Sequence, residues 1–209
     1  GVIAPSHPDF SGYDFKIQAN MNPKHRDSVA FVRVCSGRFE RGLNAVHAQS
    51  GSNIRLMRPY KLFANEREIV DEAYPGDVVG IPNNGVLGIG DTLYVGNNPI
   101  RYAAMPHFAP EHFALLKNND LSKQKNFSKG LQQLEKEGSV QVFYNANAFK
   151  REPILAVVGQ LQFDVVQARM EMEYNVQTTL ERLPHTLARW VEGPDKVYAS
   201  LPPQAEVLL

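Results

Sequence analysis

The most constraining feature of this sequence is an alternating segment that runs into two closely spaced glycines, within residues 31–42. Val32 and Val34 alternate with larger or more polar residues, and this period of two predicts a strand with one buried side. Gly37 ends the strand and Gly42 marks a second turn. Because glycine lacks a Cβ and tolerates sharp bends, the stretch predicts the tight corner of a small β-barrel.

Short strand-like segments separated by turn residues fill the rest of the first half. Strands are predicted at residues 13–20, 43–49, 53–57, 68–73, 78–82 and 92–95. In the first of them, Phe15 and Ile17 should face one way, and Asp14 and Lys16 should face the other. Short strands without a helical period predict an all-β barrel or sandwich, and we favour the barrel.

Helical periods alternate with strands in the second half. We predict an edge strand at 105–113, followed by a helix at 121–137 with an N-cap at Asp120 and a C-terminal cap at Gly138. Strands are then predicted at 140–144 and 153–158. A second helix at 160–174 should end at Asn175, and a last strand at 176–183 should resume at 188–191. The second helix should bury one apolar stripe, made of Leu161, Val165, Ala168 and Met172. The order strand, helix, strand, strand, helix, strand is typical of the split βαβ unit.

The predicted fold is therefore an all-β barrel followed by an α+β ferredoxin-like domain (split βαβ). The barrel with an N-terminal linker takes residues 1–100, and the ferredoxin-like domain with a C-terminal tail takes 101–209. The chain starts at Gly1 without Met and ends on the apolar Val207-Leu208-Leu209, so we expect it to be a fragment of a longer protein.

Composition indicates which cellular environment and which kinds of partner we should expect for this chain. The single cysteine, Cys35, excludes an internal disulfide and favours a reducing, cytoplasmic environment. No apolar run has membrane-spanning length and no signal peptide is visible, so we expect no membrane partner. Lys plus Arg and Asp plus Glu are both 22, so net charge alone gives no attraction to nucleic acid.

The sequence lacks the common motifs of nucleotide binding and nucleophilic catalysis. A GTPase needs a P-loop and the guanine-reading Asn-Lys-x-Asp, and neither occurs. Asp77-Val-Val-Gly80 follows Pro75-Gly76 and reads as a β-turn. There is no Gly-x-Ser-x-Gly elbow, and the six histidines are scattered. We predict no catalytic, cofactor-binding or metal site in this chain, and no enzymatic activity of its own.

Charge is unevenly distributed along the barrel sequence. Residues 24–61 carry eight Lys or Arg against two Asp or Glu, whereas residues 62–91 carry one against six. A solvated surface is the ordinary explanation of such runs. Basic residues grouped in loops can also contact phosphate oxygens.

Two stretches carry a family resemblance. Residues 15–27 (Phe-Lys-Ile-Gln-Ala-Asn-Met-x-Pro-Lys-His-Arg-Asp) and 30–42 (Ala-Phe-x-Arg-Val-Cys-Ser-Gly-x-Phe-Glu-Arg-Gly) resemble the class II peptide-chain release factors, the release factor 3 family. Residues 155–169 (Leu-Ala-Val-Val-Gly-Gln-Leu-Gln-Phe-Asp-Val-Val-x-x-Arg) and 173–176 resemble domain three of the same family, which is related to that of elongation factor G.

The resemblance, over about residues 10–192, implies a translation-termination GTPase that promotes dissociation of class I, codon-reading release factors from the ribosome. It implies that the all-β barrel is of the translation-factor domain-two type and contacts small-subunit RNA, and that domain three lies near a ribosomal protein. GTP and magnesium are implied for a nucleotide-binding domain outside this chain. Together with the charge distribution, it makes seven residues candidates for RNA contact: Lys24, His25, Arg26, Arg38, Arg41, Arg55 and Arg58.

Two alternatives stay open. One is an elongation- or rescue-type translational GTPase with the same two domains, against which the Pro-Lys-His-Arg-Asp loop speaks. The other is a protein-interaction module unrelated to the ribosome, which the neutral net charge would suit. The tail after Trp190, with Pro194, Pro202 and Pro203, matches no family pattern that we can assign by residue.

Overall fold

The structure is a computed structural model that describes residues 2–19, 28–63, 66–106, 108–146, 152–191 and 205–208. The chain divides into two compact units, Gly1–Pro106 and His107–Leu209. Each unit has its own hydrophobic core.

The described part of the first unit is built from β-strands alone. They are β1 (Ser11–Ala19), β2 (Ser28–Ser36), β3 (Phe39–Glu40), β4 (Asn44–His47), β5 (Asn53–Arg55), β6 (Tyr60–Phe63), β7 (Glu66–Ile69), β8 (Glu72–Ala73), β9 (Val78–Asn83) and β10 (Thr92–Tyr94). Eight form an antiparallel sheet in the order β5-β4-β10-β1-β2-β9-β6-β7, and β3 pairs with β8. The eight-stranded sheet and the β3–β8 pair contribute residues to one hydrophobic core, so the predicted all-β barrel class is confirmed. Strand β6 was not predicted.

The corner after β2 is as tight as the sequence predicts. Val32 and Val34 are fully buried on one side of β2. Ser36 is also buried, and its hydroxyl donates to the carbonyl oxygen of Asp9 over 2.9 Å. Gly37 has a φ of +65°, and a Cβ there would lie 2.4 Å from the carbonyl carbon of Asp9. The Ser36 hydrogen bond therefore fixes the N-terminal linker at this corner, and the missing Cβ of Gly37 leaves room for the linker backbone at Asp9.

Strand β1 departs from the predicted alternation. Its register against β2 shifts between Asp14 and Lys16, which is a β-bulge. Asp14 and Ile17 are both buried whereas Phe15 is 36% exposed, so the predicted grouping of Phe15 with Ile17, opposite Asp14, was wrong. The extra residue of a bulge turns the following side chains to the opposite face, and a period-two pattern cannot anticipate it.

The second unit combines a sheet with two helices. Its elements are β11 (His112–Asn118), a short 3-10 turn (Leu121–Lys123), α1 (Gln124–Lys136), β12 (Gln141–Tyr144), β13 (Pro153–Val157), α2 (Leu161–Tyr174) and β14 (Thr178–Leu183). The strand order is β12-β13-β11-β14, with all pairs antiparallel. Alternate residues of β11 and β13 pack against residues of both helices, which places the helices on one face. The ferredoxin-like prediction is confirmed.

Polar caps set the helix boundaries in this unit. The Asp120 carboxylate accepts a hydrogen bond from the Ser122 backbone N–H at 2.9 Å, at the start of the 3-10 turn that leads into α1. Gly138 follows α1 with a φ of +69°, and Asn175 ends α2 with a φ of +55°. All three positions were predicted, because these residue types suit those backbone states.

The buried face of α2 is not the predicted one. Its buried residues are Phe163, Val166 and Met170, whereas the predicted stripe is exposed, at 78% for Leu161, 54% for Val165 and 85% for Met172, with Ala168 also exposed. Apolar residues occur on both sides of this helix, so spacing alone cannot select a face. The side that carries the large aromatic Phe163 packs against the sheet.

Two predicted strands also differ. The first strand of this unit is β11, seven residues further along than predicted, and it is central in the sheet rather than at the edge. Its apolar run of Phe113, Ala114, Leu115 and Leu116 suits a strand that contacts other residues on both faces. Residues 188–191 form no strand.

Described residues of the C-terminal segment pack on the helix-free face of the sheet. Phe113, Ile154 and Ala156 are buried there, and Ala188 and Leu208 pack against them. The Ala146 backbone N–H donates to the carbonyl oxygen of residue 207 over 2.9 Å. The described tail is therefore part of the second unit's packing.

Candidate nucleic-acid interface

Four of the seven candidate RNA-contacting residues are described by the structure. Lys24, His25 and Arg26 lie outside the described residues. The other four, Arg38, Arg41, Arg55 and Arg58, are exposed, and we call them the arginine set. Two lie on or just after strand ends of the sheet and two flank the short strand β3.

Carboxylates hold the first two members of the set. Arg38 Nη2 lies 2.7 Å from Glu72 Oε2 and its Nε lies 3.3 Å from Glu40 Oε1. Arg41 Nε lies 3.2 Å from Asp71 Oδ1. The two arginine side chains are 54% and 52% exposed, so these are surface ion pairs. The fold thus brings acids from residues 62–91 against bases from residues 24–61.

The other two members, Arg55 and Arg58, form no ion pair with a carboxylate in the described part of the chain. Hydrogen bonds from the Gly42 N–H to the Leu56 carbonyl and from the Leu56 N–H to the Leu43 carbonyl, both 2.9 Å, place Arg55 beside the Gly42 turn. A Cβ on Gly42 would lie 3.9 Å from Arg55 Nη2. Arg58 has a φ of +53°, which is uncommon for a residue with a long side chain. These two guanidinium groups are available to an external anion.

A polar cluster around the buried His47 lies elsewhere in the first unit, and sequence reasoning missed it. Asp91 Oδ2 accepts from the Gly88 N–H at 2.6 Å and lies 2.8 Å from Nε2 of the buried His47. His47 Nδ1 lies 2.8 Å from Ser50 Oγ, which in turn lies 2.7 Å from Ser52 Oγ. Each of these side chains finds its partner within the neighbouring turns, so we interpret the cluster as structural.

Asp14 lies next to that cluster and has no cation beside it among the described residues. Burial, with a smaller contribution from the negative charge of Asp91, raises the pKa of Asp14 to about 8, although the Lys16 N–H opposes the shift. Its Oδ2 is buried without a hydrogen-bond partner in the described part of the barrel. A neutral carboxyl group is therefore the favoured form of Asp14 at neutral pH.

In the second unit, the partly buried Arg169 lies between two carboxylates. Arg169 Nη1 lies 2.6 Å from Glu137 Oε2, and its Nε and Nη2 reach the two carboxylate oxygens of Glu173 at 2.6 and 2.9 Å. The two carboxylates raise the pKa of Arg169 above its ordinary value. Nearby, burial raises the pKa of Tyr174 to about 12. This network joins the end of α1 to α2 and is structural.

Metal and membrane features were also assessed on the described residues. No three His, Cys, Asp or Glu side chains there come together as a metal-binding group. Neither of the helices described has the length and hydropathy that a membrane crossing requires.

Comparison with known families covers both units. Residues 9–96 match the family model for elongation factor G domain 2. Residues 102–206 match the model for the class II release factor RF3, C-terminal domain. The chain belongs to the class II release factor RF3 family. The second match reaches residue 206, so the tail that we could not assign by residue lies largely within the family pattern.

Relatives in this family are similar along most of the chain. It is 58% identical to peptide chain release factor 3 of Rippkaea orientalis and 55% identical to that of Trichormus variabilis, each over 193 residues. These alignments cover 92% of this chain but 36% of each relative, so the chain corresponds to about a third of a release factor 3. A crystal structure from Thermus thermophilus shares the fold, with a TM-score of 0.69 and 23% identity over 84% of this chain and 26% of that one.

Proposed function

We propose that this chain is the ribosome-docking region of a translation-termination GTPase that promotes dissociation of class I release factors from the ribosome. The observation that carries the proposal is the pair of matches in one chain, an elongation factor G domain 2 followed by an RF3 C-terminal domain. The second match favours a termination factor over an elongation or rescue factor. The domain limits that we propose remain 1–100 and 101–209.

Nucleotide chemistry belongs, in this proposal, to a part of the protein outside this chain. GTP and magnesium would bind in a nucleotide-binding domain, since the P-loop and the guanine-reading motif are missing from these 209 residues. The chain by itself would neither bind nor hydrolyse GTP. The whole protein would act in the cytoplasm, where translation takes place.

Docking would use the barrel against small-subunit RNA and the second unit against a ribosomal protein. Within the arginine set, we propose that Arg55 and Arg58 contribute most, because no carboxylate of the described chain must be displaced before they meet a phosphate. Arg38 and Arg41 would exchange a surface ion pair for a phosphate contact, with a smaller net gain. Lys24, His25 and Arg26 remain candidates on sequence alone.

Co-sedimentation with purified small ribosomal subunits tests this function. The chain should associate weakly at about 50 mM salt and much less at about 200 mM, because phosphate contacts release counterions. A GTPase assay on the same sample should show no turnover. If the chain fails to sediment with subunits even at the lower salt concentration, the docking proposal is wrong and an interaction module outside the ribosome is favoured.

A further inference from the structure

A cleft of about 760 Å³ opens within the second unit. Residues 109–113, which lead into β11, form one wall. The other wall comes from residues 182–189, at and after the end of β14, and Gln160 also contributes. The volume is in the range of small-molecule sites, which is enough for a nucleotide.

Two arginines line this cleft without a carboxylate partner among the described residues. The guanidinium carbon of Arg182 lies 4.4 Å from the centre of the Phe163 ring, which holds the group by a cation–π contact. Arg189 Nη1 donates to the carbonyl oxygen of Ala188 at 2.8 Å. Glu111 is the only carboxylate among the lining residues that the structure describes. The cleft therefore has an excess of positive charge and partly fixed guanidinium groups.

Packing fixes the wall that carries these arginines. The His185 ring meets Phe113 edge to face, with 6.0 Å between ring centres. His185 Nε2 lies 3.3 Å from Glu206 Oε2 but makes no hydrogen bond among the described residues, and the Asn145 amide approaches the same oxygen at 3.5 Å. The site is consequently shaped before any ligand arrives.

An exposed aromatic residue flanks each wall. Phe108 directly precedes residue 109 and is 70% exposed, and its carbonyl oxygen accepts a hydrogen bond from Gln141. Trp190 directly follows Arg189 and is 66% exposed. Arginine beside exposed aromatic rings is the combination that binds unpaired nucleotides, with phosphates on the guanidinium groups and bases stacked on the rings.

We propose that this cleft binds a single-stranded segment of RNA, with Arg182 and Arg189 on the phosphates and Trp190 stacked on a base. The inference rests on the proposed ribosomal role but adds an RNA site to the unit that the resemblance places near a protein. An acidic protein segment would satisfy the arginines, but it would leave the exposed aromatic faces without stacking partners. Single-stranded RNA can contact both, with its phosphates on the arginines and its bases stacked on the aromatic rings.

Trp190 is the only tryptophan of the chain, so its own fluorescence reports on the site. Titration of the full chain with a short oligouridylate, about 12 nucleotides long, should quench the fluorescence at low salt in a saturable way. Replacing both arginines (R182Q/R189Q) should weaken binding about tenfold and lower the slope of log affinity against log salt by about 1 to 2. With a labelled oligonucleotide, W190A should cost about fivefold or more.

The matched control is K125Q/K129Q, which removes the same charge from the exposed side of α1. Thermal melts should show that all variants stay folded, and R182K, which keeps the positive charge, should retain binding. Absence of quenching, equal loss in the lysine control, or equal competition by a short polyglutamate peptide would overturn the RNA site. Since this assay contains no ribosome and leaves the arginine set intact, its failure is distinguishable from failure of barrel docking.

Discussion

Arginine has different surroundings in the two units. In the second unit the Arg169 side chain is 24% exposed and contacts a Glu137 side chain that is 6% exposed. In the barrel, Arg38 and Arg41 remain about half exposed beside similarly hydrated carboxylates, and the buried carboxyl group of Asp14 has no arginine beside it among the described residues. Desolvated pairs are costly to break, whereas hydrated pairs exchange partners at little cost. The comparison separates arginines that hold the fold from arginines that can hold a ligand.

The largest effect should come from breaking the interior pair. Replacing Arg169 by Ala removes the cation that contacts the buried Glu137 carboxylate, and we expect a loss of about 3 kcal/mol in the free energy of unfolding of the second unit. Urea denaturation followed by Trp190 fluorescence measures it. The double variant R169A/E137Q should recover part of the loss because no charge is left buried. An unchanged midpoint for R169A would show that the pair is as weak as those on the barrel.

The next largest effect concerns the buried carboxyl group without a cation. The pKa of Asp14 rises from its ordinary value of 3.8 to about 8 in the folded barrel, so the folded state binds the proton more tightly than the unfolded state. The stability that this proton contributes is complete below pH 3.8 and is lost as the pH rises towards 8.

D14N should therefore stabilise the barrel at pH 8 by at least about 1.4 kcal/mol, the equivalent of one pKa unit, and by much less at pH 5. Calorimetry at the two pH values measures the difference. Equal effects at both would mean that Asp14 does not change its protonation between them. Q18N, which shortens a partly exposed amide in the same strand, serves as a pH-independent control.

The smallest effect is expected for the hydrated pairs. R38Q/R41Q should change the stability of the barrel by no more than about 1 kcal/mol, because exposed ion pairs contribute little. Raising the salt concentration should reduce even this difference. Thermal melts at low and high salt provide the measurement, and a loss comparable to that of R169A would remove the distinction between the two kinds of arginine.

Local signals account for what the sequence predicted well. The alternation of Val32 and Val34, the corner at Gly37, and the helix ends at Asp120 and Asn175 each depend on a few neighbouring residues whose chemistry favours one backbone state. Together with the order of strands and helices, these signals were sufficient for both fold classes.

Features that depend on packing between distant segments could not be read in the same way. The bulge at Asp14 depends on register with β2, and the buried side of α2 depends on which apolar face the sheet accepts. Likewise, the sequence separates Arg38 from Glu72, and only the pairing of β3 with β8 brings them within 2.7 Å. The candidate arginines could thus be named from sequence, but which of them are already paired could not.

The most direct test of the account compares charge reversals within the arginine set in co-sedimentation with small ribosomal subunits. R55E/R58E should lower the association at low salt at least about tenfold and reduce its salt dependence, since each lost phosphate contact lowers the slope by about 1. R38E/R41E, which reverses the same amount of charge at arginines that carboxylates already hold, should have a clearly smaller effect. Equal association of R55E/R58E and the unaltered chain would contradict docking through Arg55 and Arg58.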